Sequence, residues 1–482
     1  MKTEFSFIRG VSTDLLSVTA IALRPLWLLL SMLATLAQAE DFAYVTNDDR
    51  TITITGYNGS RPTVSIPRTV HGLPVTGIRG SAGIVSRIYN ITNIFWPTGF
   101  TNSSVLRRVT IPKSVTSIGA GAFRGCNRLA TITLPNGLIN IGDQAFYDCA
   151  SLTNIRIPSS VNSIGTFAFS GCLNLTKVKI PDSVTALGNG AFYGCSNLAR
   201  ITISKSVTNM GDYAFHGCNT LTEITIPNNV NRIGETSFYD CYGLTSVSIP
   251  NSVTNIGDLA FYGCHNLTNC TIPNSVTRIG QSAFSGCGKL TSLAIPTHVK
   301  KISDGGFESC SGLTKVTIPN SVAIIGSSAF AGCTNLTNVV MGTNVVIIDS
   351  SAFEDCPRLA TVAIPNRVWI INWMAFAGCS SLVNLVIGDG VESIGDRAFE
   401  GCSGLVNLTV GSGVEMIRDR AFKGCSNLSA IYFRGNAPRL GPHVFDGDNQ
   451  ATVYYLPGTT GWGPTFGGRP TAVDSRSPAP SK

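Results

Sequence analysis

The chain has 482 residues, of which 13% are charged and 50 are glycine, and it carries a net charge of +7. So dilute a positive balance leaves no dense basic tract, which argues against nucleic acid as a partner. Apolar residues, 43% of the total, are spread evenly, so the chain can bury a continuous core without dividing into a few compact domains.

Residues 1–39 read as a secretory signal peptide. Basic Lys2, Arg9 and Arg24 precede the apolar run Leu26 to Leu33, and Ala37-Gln38-Ala39 supplies a small-residue cleavage site before Glu40 and Asp41. The run is shorter than the ~20 apolar residues a membrane helix needs, so no membrane span is expected in the mature chain. Export implies a secreted, extracellular or cell-surface location.

Residues 40–99 read as an N-terminal β cap and a degenerate first coil. Phe42 to Val45, Thr51 to Tyr57 and Val64 to Ile66 have the β-branched, aromatic composition of short strands, with Asn47-Asp48-Asp49 as a turn. Repeat-like sequence begins at Val75 to Ile78 and is interrupted over residues 80–99.

From 100 to 457 one unit recurs about fifteen times. Fourteen of the fifteen cysteines, Cys126 through Cys425, fall at a step of 23 residues without insertion or deletion. Phenylalanine keeps the same step three residues earlier and extends it, from Phe100 to Phe445. A fixed period of this length marks a leucine-rich-repeat coil. In one clean unit Leu244 leads into a short strand in which Val247 and Ile249 alternate inward, and Pro250 ends it by removing a backbone donor. Val253 and Ile256 then cross back over the core, Gly257 opens a tight turn, and Ala260, Phe261 and Cys264 close the coil.

The position after that of the glycine is often Asp, as at Asp143, Asp212, Asp258, Asp304, Asp396 and Asp419, with Ser303 and Arg418 standing in for glycine in two of these units. Such residues cap helix N-termini, so a short helical turn is expected there. The fold class is therefore an α/β repeat solenoid: a right-handed stack of leucine-rich-repeat coils with a parallel β-sheet on the concave side. Short helical or 3-10 turns are expected on the convex side. No coil can bury its apolar residues alone, so the structural core is a set of ladders that includes Phe123, Phe146 and Phe261 with Cys126, Cys149 and Cys264. Residues 458–482, rich in Gly, Pro and Ser, read as a disordered tail.

Leu221-Thr222-Glu223-Ile224-Thr225-Ile226-Pro227 and Ile256-Gly257-Asp258-Leu259-Ala260-Phe261-Tyr262-Gly263-Cys264 closely resemble the consensus of the BspA-like leucine-rich-repeat proteins of bacterial and some protist surfaces. Tyr44 to Pro67 resembles that family's lead-in, and the likeness covers nearly all of the mature chain. It implies a secreted or surface-exposed binding protein, often concerned with adhesion. The motifs are structural, so the resemblance carries over no functional residue.

The chemistry-bearing residue types give little. Column cysteines lie close enough to bridge, at about 5 Å between Cα atoms, yet a position repeating beside Phe favours small buried thiols. Cys270 stands at a strand position normally held by Ile or Val and reads as another core thiol. The five histidines share no phase and no metal-ligand spacing, and no catalytic arrangement appears, so neither enzyme activity, metal nor cofactor is expected.

Two surface departures from the repeat are candidate binding sites. Arg156, Lys177, Lys179 and Arg200 replace Thr, Ser or Asn at outward strand positions of consecutive coils and would suit an anionic ligand. Ile324, Val346, Ile347, Trp369 and Ile370, with Trp373 nearby, replace polar residues at the two positions after the Val of each unit and would form an apolar edge. Val340, Ala363 and Val386 replace Thr on the strand of the same region. The expected role is a non-enzymatic binding or adhesion scaffold for an extracellular protein or glycan. The alternative is a structural surface-layer protein that self-associates through the apolar edge.

Overall fold

The computed structural model describes residues 41–80 and 100–474. The expected signal peptide of residues 1–39 lies outside them, as do residues 81–99 of the expected interruption and the tail from 475. The described chain winds into stacked coils, each adding one rung to three walls.

The first wall is built from three- and four-residue strands. Lys177–Lys179 pairs in parallel with Arg200–Thr202, and Glu223–Thr225 with Ser246–Ser248, every partner lying 23 residues away. The central residue, such as Val178 or Val247, faces the core and its neighbours face outward, as the pleat requires. Pro follows and ends the ladder. A second wall comes from two-residue strands at the Val-x-x-Ile segment, such as Asn255–Ile256 paired with Arg278–Ile279.

The third wall corrects the expectation of helical or 3-10 turns. Among the described residues there is no helix. Instead, Ala145 N–H donates to the Gly142 carbonyl and Cys149 N–H to the Phe146 carbonyl, each at 3.2 Å, closing four-residue turns. Their third residues, Gln144 (φ 54°) and Asp148 (φ 55°), are left-handed. The position before Ala repeats that conformation at Phe167, Tyr213 and Leu259, as does Thr236 before Ser237 in the same column, and the position before Cys does so at Gly171, Gly194 and Asp240. Residues of opposite hand at this spacing cannot continue a right-handed helix. The turns bond along the stack: Phe123 N–H donates to the Ala145 carbonyl at 2.8 Å and Gly125 N–H to the Tyr147 carbonyl at 2.6 Å.

The Asp column is a cap of another kind. Asp143 Oδ1 accepts the amide of Thr166 at 2.7 Å, Asp212 Oδ1 that of Glu235 at 2.7 Å, and Asp258 Oδ1 that of Gln281 at 2.9 Å. Each side chain satisfies a backbone donor one coil ahead, not the start of a helical turn of its own. The preceding glycine permits that approach: a Cβ on Gly165 would stand 2.5 Å from the Asp143 amide nitrogen.

Inside, the phenylalanines form a continuous stack from Phe100 to Phe445. Phe146 and Phe169 lie 5.2 Å apart with planes within 3°, and Phe399 and Phe422 repeat the spacing at 5.2 Å. Phe123, Phe146, Phe261, Cys126, Cys149 and Cys264 are all fully buried. Every cysteine is a free thiol. The column thiols donate to the phenylalanine carbonyl of the preceding coil, as Cys149 does to Phe123 at 3.1 Å and Cys264 to Phe238 at 3.1 Å. A column of small hydrogen-bonding residues fits this role better than a hydrocarbon would.

Both ends close by adding strands. Phe42–Thr46 pairs antiparallel with Ile52–Tyr57, which runs parallel to Leu73–Ile78, and that strand joins the second wall at Ser117–Ile118. Thr63–Ser65 joins the first wall at Arg108–Thr110. At the other end the expected disorder from 458 gives way to structure as far as 474. Arg469–Val473 pairs in parallel with Thr452–Tyr455 and antiparallel with Thr465–Phe466. Trp462 packs on Phe433 at 5.0 Å and on Tyr455 at 5.1 Å, so aromatic burial holds a segment whose Gly content suggested a loose chain.

Candidate functional site

The four cations predicted from the sequence come together on the first wall. Lys177 lies directly beside Arg200 in the ladder, and Lys179 beside Thr202. The 23-residue step puts Arg156 in the Lys179 column, one coil earlier. All four are exposed, and among the described residues none forms an ion pair. They ring an open groove of about 780 Å³ whose floor includes Ile155 and Val178 and whose rim includes Asn154 and Ser159. Asp182 is the acidic residue at its edge, and one of its carboxylate oxygens accepts from the Ser204 hydroxyl at 2.5 Å.

The ladder itself is interrupted here. Residues 154–156 take no strand pairing, although coils on either side do, at Thr131–Thr133 and at Lys177–Lys179. Like charges directly opposed across a sheet are destabilising, so the Lys177–Arg200 pairing is costly for the isolated fold, offset at one end by Glu223 one coil beyond Arg200 in the same column. An anionic ligand would remove that cost.

The apolar residues form a stripe on the second wall. Ile324 pairs with Ile347 and Ile347 with Ile370, each half-buried. Beside them Val346 N–H donates to the Ala323 carbonyl at 2.8 Å and Trp369 N–H to the Val346 carbonyl at 3.0 Å, which stacks the next column. Trp369 is 45% exposed and Trp373, on the turn that follows, is 48% exposed, so both indoles face solvent. Val340, Ala363 and Val386 are exposed on the first wall instead, with Ala363 paired to Val386. The two apolar groups therefore lie on different walls.

One surface feature escaped the reading of the strand positions. On the turn wall Tyr193, His216, Tyr239 and Tyr262 stack face to face at 4.4, 4.7 and 4.7 Å. Burial between its neighbours pushes the His216 pKa down, so it stacks as a neutral ring. The signal was present as four aromatic residues at the repeat spacing, one position after the core phenylalanine. Among the described residues no three His, Cys, Asp or Glu side chains are grouped to hold a metal ion, and no helix is long and apolar enough to cross a membrane.

Comparison with known proteins follows the same repeat. The BspA type leucine rich repeat region matches residues 95–221, 140–268, 208–337, 254–383 and 347–460, and so spans most of the chain. A leucine-rich repeat protein from Bacteroides ovatus ATCC 8483 is similar at 25% identity and a TM-score of 0.56, covering 86% of this chain and 94% of that one. A leucine rich cell surface protein from Faecalibacterium prausnitzii A2-165 is 29% identical with a TM-score of 0.46, covering 82% and 94%. No curated protein matches the chain.

Proposed function

The chain belongs to the BspA-type leucine-rich-repeat family, and from that premise we propose that it is a secreted or cell-surface scaffold that binds a ligand and performs no chemistry. The ligand face is the first wall, at the groove ringed by Arg156, Lys177, Lys179 and Arg200. The observation that carries this is an unpaired cationic quartet around an open cavity in a chain otherwise sparing of charge. Its ligand is an anionic extracellular polymer, an acidic glycan or an acidic protein segment. Extracellular placement is inferred from the leader of residues 1–39.

The experiment is binding of the mature protein to immobilised heparin. The double variant K177E/K179E is expected to lose affinity at least tenfold, and wild-type binding to weaken steeply with salt. Equal binding by the variant, or no salt dependence, overturns the reading.

A second reading is favoured by the Ile324, Ile347 and Ile370 stripe with its exposed Trp369: self-association of solenoids side by side in a surface layer. Size-exclusion chromatography distinguishes it. A concentration-dependent oligomer that Ile347→Asp converts to monomer would favour assembly, and a wild-type monomer at all concentrations would rule it out.

A further inference from the structure

The aromatic stack on the turn wall has one ring missing. Tyr147, Ser170, Tyr193, His216, Tyr239 and Tyr262 occupy the same column in consecutive coils. From Tyr193 onward the rings are in contact, with planes within 10° of parallel. Tyr147 stands with one face under the Arg124 guanidinium, whose central carbon lies 5.0 Å from the ring centroid one coil before. Both Tyr147 and Tyr193 therefore present their faces along the stacking direction. Between them the column holds only buried Ser170.

The dimensions follow from the coil rise. Two steps of the stack put about 9.5 Å between the Tyr147 and Tyr193 positions. That is room for a single ring-shaped group centred about 4.7 Å from each face, the spacing of the rest of the stack, but not for two. Phe167 closes one side, edge-on to Tyr193 at 6.1 Å and 72°. It leans over Gly190, where even a Cβ would meet its ring. Tyr213 extends the same wall, and the whole forms an opening of about 440 Å³.

We propose that this slot binds one pyranose ring of an extracellular glycan, clamped between Tyr147 and Tyr193. The walls are aromatic faces, which suit the flat C–H face of a sugar. The rim is polar: the Ser170 hydroxyl at the floor, the phenolic hydroxyls, and the amide of Gln144, which is held by Arg124 at 2.8 Å. Sugar hydroxyls can meet all of these, whereas an aromatic side chain in the slot would meet none. A quaternary ammonium, the other usual guest of an aromatic enclosure, is disfavoured because Arg124 already places a positive charge on Tyr147 and no carboxylate lines the slot. Few convergent polar groups over apolar walls are what a small-ligand site requires. The slot is on the turn wall, so it goes beyond the first-wall groove and does not depend on it.

The test is an array of hexose and N-acetylhexosamine oligosaccharides, probed with the full mature protein and three variants. Ser170→Tyr fills the gap with the residue that Tyr193, Tyr239 and Tyr262 already place in that column, so its melting temperature should match the wild type. Tyr193→Ala removes one face of the clamp. Both are expected to lose at least tenfold in affinity for whichever saccharide the wild type retains, while K177E/K179E keeps it. The proposal is overturned if no saccharide on the array is retained, or if Ser170→Tyr and Tyr193→Ala bind as well as the wild type. Retention of a tryptophan-bearing or trimethyllysine peptide in place of any sugar overturns it equally.

Discussion

Most coils contribute a buried thiol, and burial favours its protonated form. Burial pushes Cys195, Cys241 and Cys310 up to about 12, and Cys172, Cys218 and Cys264 well above the ordinary 9.0. The unfolded chain releases these protons near pH 9 while the folded chain keeps them, so the folded state binds more protons and its stability falls as pH rises from 9 to 12. Each such thiol loses on the order of 1 kcal/mol by pH 10, and the column sums them. The urea midpoint should therefore drop steeply between pH 8 and 10, and a flat midpoint would contradict a protonated column. Asp448 occupies the same column at the C-terminal end and is fully buried, with neither carboxylate oxygen bonded among the described residues. Burial raises its pKa from 3.8 to about 7, against the opposing pull of Arg469. A raised carboxyl contributes stability below pH 4 that is lost as pH climbs through 7. Asp448→Cys restores the repeat, and at pH 8 it should gain about 1–3 kcal/mol, the usual cost of an unsatisfied buried group. Melting at pH 5 and 8 checks it, and a variant less stable at pH 8 would sink it.

The elements differ in how far they were readable. Alternation between Val247 and Ile249 and the proline after them specify the first wall directly, because a strand advertises itself by period two. The turn wall does not. An Asp after Gly reads as a helix cap, yet the same side chain can reach an amide one coil ahead, and local sequence cannot distinguish the two. The deciding feature is the left-handed residue that follows, and Gln144, Phe167 and Leu259 adopt it without being glycine. Gly171, Gly194 and Gly263 before the cysteines were the readable half of the signal. The cationic groove was legible because four cations fall in three consecutive coils of columns that are mostly Thr, Ser and Asn, whereas the aromatic slot depends on the size of Ser170 between two tyrosines and needs the stacking to be seen. At the groove, Lys177 directly opposes Arg200. Lys177→Thr restores the common residue and should stabilise the fold by about 0.2–1 kcal/mol while weakening heparin binding. Thermal melting and heparin affinity read the two effects separately, and a destabilised variant would show that Lys177 is held by contacts other than its charge.

At the scale of the molecule, stability comes from contacts between coils and very little from within one. Each rung is held by its neighbours through two strand ladders, a bonded turn ladder and the phenylalanine stack, all in a register of 23 residues. The length of the rod is then a free variable but its phase is not. Deleting residues 242–264 joins Cys241 to His265 and removes one full period, so every column downstream keeps its partner. That protein should fold cooperatively, melt within a few degrees of the parent and be shorter by about 4.8 Å, the spacing of one rung. Deleting 242–263 removes one residue fewer and puts the chain beyond the junction out of step. In a strand, a slip of one residue turns the core side chains outward, so across the junction Asn269 would take the inward place of Cys270 in the rung beside Ile224. The coils on either side could no longer share a ladder. The second deletion should therefore split the melt into two transitions or abolish folding, as circular dichroism against temperature would reveal. Equal stability of the two deletions would mean that the coils are independent units and that the stack is not the source of the fold.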